Sequence, residues 1–242
     1  MSSSRPTSIR TRSEAHPRLL AATLAFCISV SGCGTPAAKP DYDPLADPLP
    51  ALALTRRGNT LPEKQRIAEL NQKQDWKGML RLAEEQARRD PENSDWGVIA
   101  GYAWMRQRDY TKAIAALARV TQRNPEDIGA WNLLGESQRL SGQPGRAAQT
   151  LEYASTIGRN SFVTFYLLGQ AYRDAGRFAR AVPAYQEAVV LEPAFAFGWF
   201  ELGSAQVRTG ERKAAEASLD QLQKLDPDLA KELAVRIQST RR

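Results

Sequence analysis

Histidine and cysteine are almost missing from this chain. The only histidine is His16 and the only cysteines are Cys27 and Cys33, all within the first 33 of 242 residues. Everything beyond Cys33 therefore lacks both imidazole and thiol. That excludes His or Cys metal sites, Ser-His-Asp and Cys-His nucleophile systems, and a structural disulfide in the body of the protein. An enzyme built on it would have only carboxylates, Lys, Arg, Tyr and Ser to work with. Excess charge is also scarce where it would matter. The formal net charge is +6, but Arg5, Arg10, Arg12 and Arg18 against Glu14 place +3 of it in residues 1–32. With that segment removed, nucleic-acid binding loses its main compositional support. What is present is a globular balance, 25% charged and 42% hydrophobic, which argues against wholesale disorder.

The N-terminal region reads as an address and a tether. Residues 1–18 are polar and Arg-containing, and Leu19 to Gly32 is an uncharged, mostly apolar run of 14 residues. That run is shorter than the ~20 residues of a membrane span and follows the pattern of a secretory signal. It ends in Val30-Ser31-Gly32-Cys33, which resembles a bacterial lipobox. The resemblance implies cleavage before Cys33, a diacylglycerol thioether on its sulfur and acylation of its new amine. Several acyl chains at about 0.8 kcal/mol per buried methylene make a stable anchor. Gly34 stands where an Asp often signals inner-membrane retention, so the outer membrane is the expected destination. Residues 34–59 carry Pro36, Pro40, Pro44, Pro48 and Pro50. Proline at this density blocks helix and predicts an extended tether.

From residue 60 onward the chain has an internal period. Gly101, Gly135, Gly169 and Gly203 are each 34 residues apart, as are Ala113, Ala147, Ala181 and Ala215. Trp131, Phe165 and Trp199 form another column. So do Leu134, Leu168 and Leu202; Gly142, Gly176 and Gly210; and Leu117, Leu151, Tyr185 and Leu219. Pro125, Pro193 and Pro227 close three units and Arg159 the fourth. These columns describe a helix-turn-helix unit. The first Gly and the Ala are small because two antiparallel helices touch there. The second Gly lies in the turn, and the Pro ends the second helix. Each unit leaves an apolar edge that only a neighbour can cover, so the units stack as an all-α, right-handed α-solenoid.

The pattern resembles the tetratricopeptide repeat, most fully in Phe165–Leu168-Gly169–Tyr172–Gly176–Ala181–Tyr185–Ala188–Pro193. The expected organisation is a signal peptide at 1–32, a lipidated cysteine and tether at 33–59, and a degenerate repeat or cap at 60–93. Four repeats follow at 94–127, 128–161, 162–195 and 196–229. A capping helix at 228–242 opens on Asp228 and buries Leu229, Leu233 and Ile237. The first full repeat departs from the pattern at Gly97, Ala100 and Arg108. The cap departs at Ile67 and Met79.

Such solenoids bind protein segments in a concave groove lined by their first helices. The resemblance places the groove at Asp95, Val98, Ile99, Tyr102 and Met105; Asn132, Leu133, Glu136 and Arg139; Val163, Tyr166, Leu167, Gln170 and Arg173; and Phe197, Phe200, Glu201, Ser204 and Arg208. Many are apolar, which suits an amphipathic helix or an extended apolar segment. Relatives that clamp a terminal carboxylate use Lys, Asn and Arg where this chain has Val98, Tyr102, Leu133, Val163 and Leu167, so a carboxylate clamp is not expected. Arg106, Arg139, Arg173 and Arg208 sit near the ends of the first helices. They are either a ladder for partner carboxylates or basic residues opposing the helix dipole, and the dipole reading is favoured.

The functional expectation is a non-enzymatic, lipid-anchored scaffold on the periplasmic face of the outer membrane. It needs no cofactor, metal, nucleic acid or small-molecule substrate, and its partners are a protein segment and, through Cys33, the membrane. Its layout resembles lipoproteins that assist assembly of Flp and type IV pili, some of which pilot secretin subunits. An adaptor for outer-membrane β-barrel assembly or cell-wall enzymes, and a soluble exported repeat protein, are the alternatives.

Overall fold

Four helix starts are set by short polar side chains placed just before the helix. Asp75 accepts from the backbone N–H of Gly78 at 2.8 Å, Asp109 from Lys112 at 3.1 Å, Asp127 from Ala130 at 3.0 Å and Ser161 from Thr164 at 3.3 Å. Each satisfies an amide that the first turn would leave unpaired. In the computed structural model, which describes residues 61–239, eleven helices result and no strand is found among those residues. They are α1 (Leu61–Gln72), α2 (Trp76–Arg89), α3 (Asp95–Arg106), α4 (Tyr110–Arg123), α5 (Ile128–Leu140) and α6 (Pro144–Ile157). Then come α7 (Phe162–Asp174), α8 (Phe178–Leu191), α9 (Ala196–Thr209), α10 (Arg212–Leu225) and α11 (Pro227–Ser239). The signal-peptide, lipidation and tether expectations lie outside the described residues.

Consecutive helices pack as antiparallel hairpins, and hairpins stack. In addition α3 touches α5, α5 touches α7 and α9 touches α11, so the odd-numbered helices make up an inner layer. The glycine column explains how each hairpin closes. A Cβ on Gly101, Gly135 or Gly169 would stand 2.5 Å from Leu117, Leu151 or Tyr185, and no real side-chain carbon comes that close. The paired alanines Ala113, Ala147 and Ala181 are fully buried. The first repeat compensates for its missing aromatic: Gly97 makes room for Val120, where the next two units have Ala154 and Ala188. Ile67 and Met79 of the degenerate first hairpin are core residues, 3% and 1% exposed.

Two details differ from the sequence reading. The nearest neighbour of Gly203 is Leu233 of α11, with Ser218 rather than Leu219 the next from its own hairpin. The fourth hairpin thus completes its core with the cap, and Phe200, Leu222, Leu229, Leu233 and Ile237 form a second apolar cluster. The cap helix opens on Pro227 rather than after it. Asp226 accepts from the N–H groups of Asp228 and Leu229, both at 3.0 Å, so Asp226 rather than Asp228 is the capping residue. Pro227 at the first helical position is favourable, because its missing N–H would have had no helical partner.

Candidate functional site

The inner layer is where the first helices face one another, and α5 shows its character. Every residue from Asn132 to Gln138 is buried, polar and apolar alike. Val98, Ile99, Tyr102, Asn132, Leu133, Tyr166, Leu167 and Phe200 are each less than a tenth exposed. Phe197 and Val163 are half-buried. In this structure Tyr102, Leu133, Tyr166 and Phe200 therefore do not form an open apolar track. For three of them the reason is packing against neighbouring rings or a guanidinium. Tyr166 has the ring of Phe195 edge-on at 4.9 Å and that of Tyr185 at 5.9 Å, and its hydroxyl accepts from Gln170 Nε2 at 3.1 Å. Tyr102 stands edge-on to Trp76 at 5.8 Å and donates to Asn71 Oδ1 at 3.3 Å. The Arg236 guanidinium lies 4.5 Å from the centre of the Phe200 ring.

The four arginines divide into two pairs. Arg139 holds Glu136 with two bonds, at 2.8 and 2.7 Å, and reaches Asp174 of α7 at 2.6 Å. Arg173 contacts Asp174 at 3.0 Å and Glu201 of α9 at 2.7 Å. The result is one chain, Glu136–Arg139–Asp174–Arg173–Glu201, running across three units with three acids and two bases. Burial works against the charge on Arg139 and Arg173, yet the neighbouring carboxylates outweigh it and hold both guanidinium groups charged more firmly than usual. Arg106 instead lies over Trp76 at 4.8 Å, and Arg208 over Phe178 at 4.7 Å. The sequence holds the cue: Arg139 and Arg173 are 34 residues apart, whereas Arg106 is 33 residues before Arg139 and Arg208 is 35 after Arg173. The dipole reading omits these partners, and Asp174 was not anticipated at all.

Some buried polar atoms have no partner among the described residues. Asn132 Oδ1, Gln170 Oε1, Ser137 Oγ and the Tyr185 hydroxyl are of this kind. Burial, with Glu201 nearby, pushes the Tyr185 hydroxyl well above the usual tyrosine range, so it stays protonated as a donor. Among the described residues no group of His, Cys, Asp and Glu could hold a metal ion, and no helix is long and apolar enough to cross a membrane.

The family profile of the tetratricopeptide repeat matches residues 80–128, 100–161 and 166–230, more than half of the sequence. The chain belongs to the tetratricopeptide-repeat family. Members of this family are generally non-enzymatic scaffolds for protein–protein contact, and this one is an all-α solenoid of that kind. Solved structures share the fold. MamA aligns with 21% identity and a TM-score of 0.61 over 72% of this chain and 99% of its own. A thermophilic tetratricopeptide protein of Thermus thermophilus aligns with 16% identity and a TM-score of 0.56 over 72% and 96%. YrrB, described as a tetratricopeptide protein with an unusual peptide-binding site, aligns with 17% identity and a TM-score of 0.57 over 77% and 97%. A comparison with curated proteins gives no match.

Proposed function

We propose that this protein is a lipid-anchored envelope scaffold that captures a segment of a partner protein along the inner layer of its solenoid. The partner belongs to an envelope machine under assembly, such as the secretin of a Flp or type IV pilus, and the anchor is Cys33 in the outer membrane. Val30-Ser31-Gly32-Cys33 and the proline-rich residues after it support the anchor and the tether. The observation that supports capture is the pair of buried, unpartnered acceptors Asn132 Oδ1 and Gln170 Oε1 on successive inner helices. A buried acceptor left unmatched costs about 1–3 kcal/mol. Both acceptors are covered in the closed solenoid, so capture requires the inner helices to part; main-chain N–H groups of an extended partner then supply the missing donors, and the half-buried Val163 and Phe197 offer further apolar contact.

The test separates anchor from capture. Cys33→Ser should abolish palmitate labelling and release the protein from outer-membrane fractions, while Asn132→Leu with Gln170→Met leaves both unchanged. The double variant should lower recovery of the partner from crosslinked envelopes at least tenfold, or about 1.4 kcal/mol, with its helical circular dichroism retained. Full partner recovery by a folded, more stable double variant would show that the two amides are only unmatched core groups. Undiminished labelling of Cys33→Ser would remove the anchor.

A further inference from the structure

At three of the four junctions between successive hairpins, the closing residue has its carbonyl held by a side chain from the next hairpin. Trp131 Nε1 donates to the Pro125 carbonyl at 2.8 Å, and Trp199 Nε1 to the Pro193 carbonyl at 2.9 Å. Arg123 Nη1 donates to the Pro91 carbonyl at 3.2 Å. The remaining junction, between α6 and α7, departs in every part of this latch. The closing residue is Arg159 rather than proline, and the indole is replaced by Phe165, which has no N–H to give. Gly158 caps α6 where Asp90, Asn124, Glu192 and Asp226 cap the other second helices. Its φ of −101° departs from their −134°, −130°, −134° and −146°. An open surface depression of about 470 Å³ beside the connector is lined by Ile128 and residues 156–161, although Ile128 itself packs on Gly158, where a Cβ would stand 2.9 Å from it.

What replaces the latch is charge. Arg139 of α5 reaches Asp174 of α7 at 2.6 Å on the inner layer. Elsewhere Tyr172 of α7 donates to Glu152 of α6, and Arg180 of α8 approaches the same carboxylate at 3.5 Å. Arg180 and Glu152 are both well exposed, so salt weakens that pair. The next junction has an ionic bridge too, Arg173 to Glu201 at 2.7 Å, but keeps its indole latch. Glycine widens the backbone's choices, and losing a proline removes a fixed φ. A few small or terminal residues that absorb the angular change are what a hinge requires.

We propose that the α6–α7 junction is the hinge of this solenoid, an unlatched glycine connector held shut by the Arg139–Asp174 and Glu152–Tyr172–Arg180 straps. Opening it parts α5 from α7 and changes the spacing of the inner layer. The inference does not depend on the identity, or the existence, of a captured partner.

Paired spin labels on the full-length protein test it. Cys27→Ser and Cys33→Ser clear the native thiols. Cysteines at exposed Gln149 and Gln186 span the α6–α7 junction, and cysteines at exposed Gln186 and Asp220 span the next one. Raising salt to about 1 M, or introducing Asp174→Asn, should broaden the Gln149–Gln186 distance distribution by about 2 Å or more, the scale of shifts at packed interfaces. The Gln186–Asp220 distribution should hold. Arg159→Pro with Phe165→Trp, which rebuilds the latch, should narrow the first distribution and abolish its salt response. Equal responses at both junctions, no response at either, or an unchanged salt response in the latch-restored protein would each overturn the hinge. The salt arm needs no destabilising variant, so loss of folding in Asp174→Asn leaves the test intact.

Discussion

At the residue scale, one backbone state recurs at every turn between paired helices. Gln74, Arg108, Gly142, Gly176 and Gly210 have φ of 53°, 63°, 79°, 71° and 81°. They are spaced 34 residues apart. The column that reads as glycine in three units therefore demands a left-handed residue in all five. Two units meet the demand with side chains that disfavour it by roughly 1–2 kcal/mol. A Cβ at Gly176 would meet nothing within 4 Å, so the effect there is one of backbone conformation alone. Gly176→Ala should lower stability by about 1 kcal/mol, and Arg108→Gly should raise it by roughly 0.5–1 kcal/mol. Urea midpoints of the two variants against the parent decide this. Coincident midpoints for all three would mean that the turn column carries no strain.

At the element scale, the hairpin is the unit that the sequence makes legible. Gly169 and Ala181 sit where α7 meets α8, and their smallness has a direct geometric cause. Ala181 is fully buried whereas Ala179, two residues earlier, is exposed. Ala181→Leu should overpack the contact and cost roughly 1–3 kcal/mol, while Ala179→Leu should cost little. Thermal melts of the pair give the answer, and equal melting temperatures would refute the assigned register. Contacts between hairpins were harder to read. Spacing fixes which residues share a helix face, but the burial of Tyr166 depends on Phe195 arriving from the following connector. Likewise Leu219 keeps the 34-residue period, yet Gly203 packs on Leu233, because the second helix of the last unit faces a cap instead of another repeat. The Glu136-to-Glu201 chain was half legible: its arginines stand in register, but Asp174 belongs to no column.

At the scale of the whole molecule, the cap is not an accessory. The fourth hairpin shares its apolar cluster with α11, and Arg236 of α11 bonds Ser204 of α9 at 3.0 Å. A chain ending at Asp226 should lose the fourth hairpin while keeping the earlier ones, because each repeat depends chiefly on its neighbours. Hydrogen exchange read helix by helix would show fast exchange in α9 and α10 with α3 to α6 still protected. Uniform protection throughout the truncated chain would show that the last repeat closes unaided.

The place of Leu233 also sets an order of events during synthesis. A repeat chain closes unit by unit as it emerges, N-terminal part first. The first three full hairpins of this protein find their glycine's counterpart, Leu117, Leu151 or Tyr185, within about 16 residues of it along the chain. Gly203 finds its nearest neighbour, Leu233, only 30 residues later. Until α11 has emerged, the newest hairpin has an open seam. A product terminated before α11 would present that seam to proteases, so α11 is the element that seals the fourth hairpin.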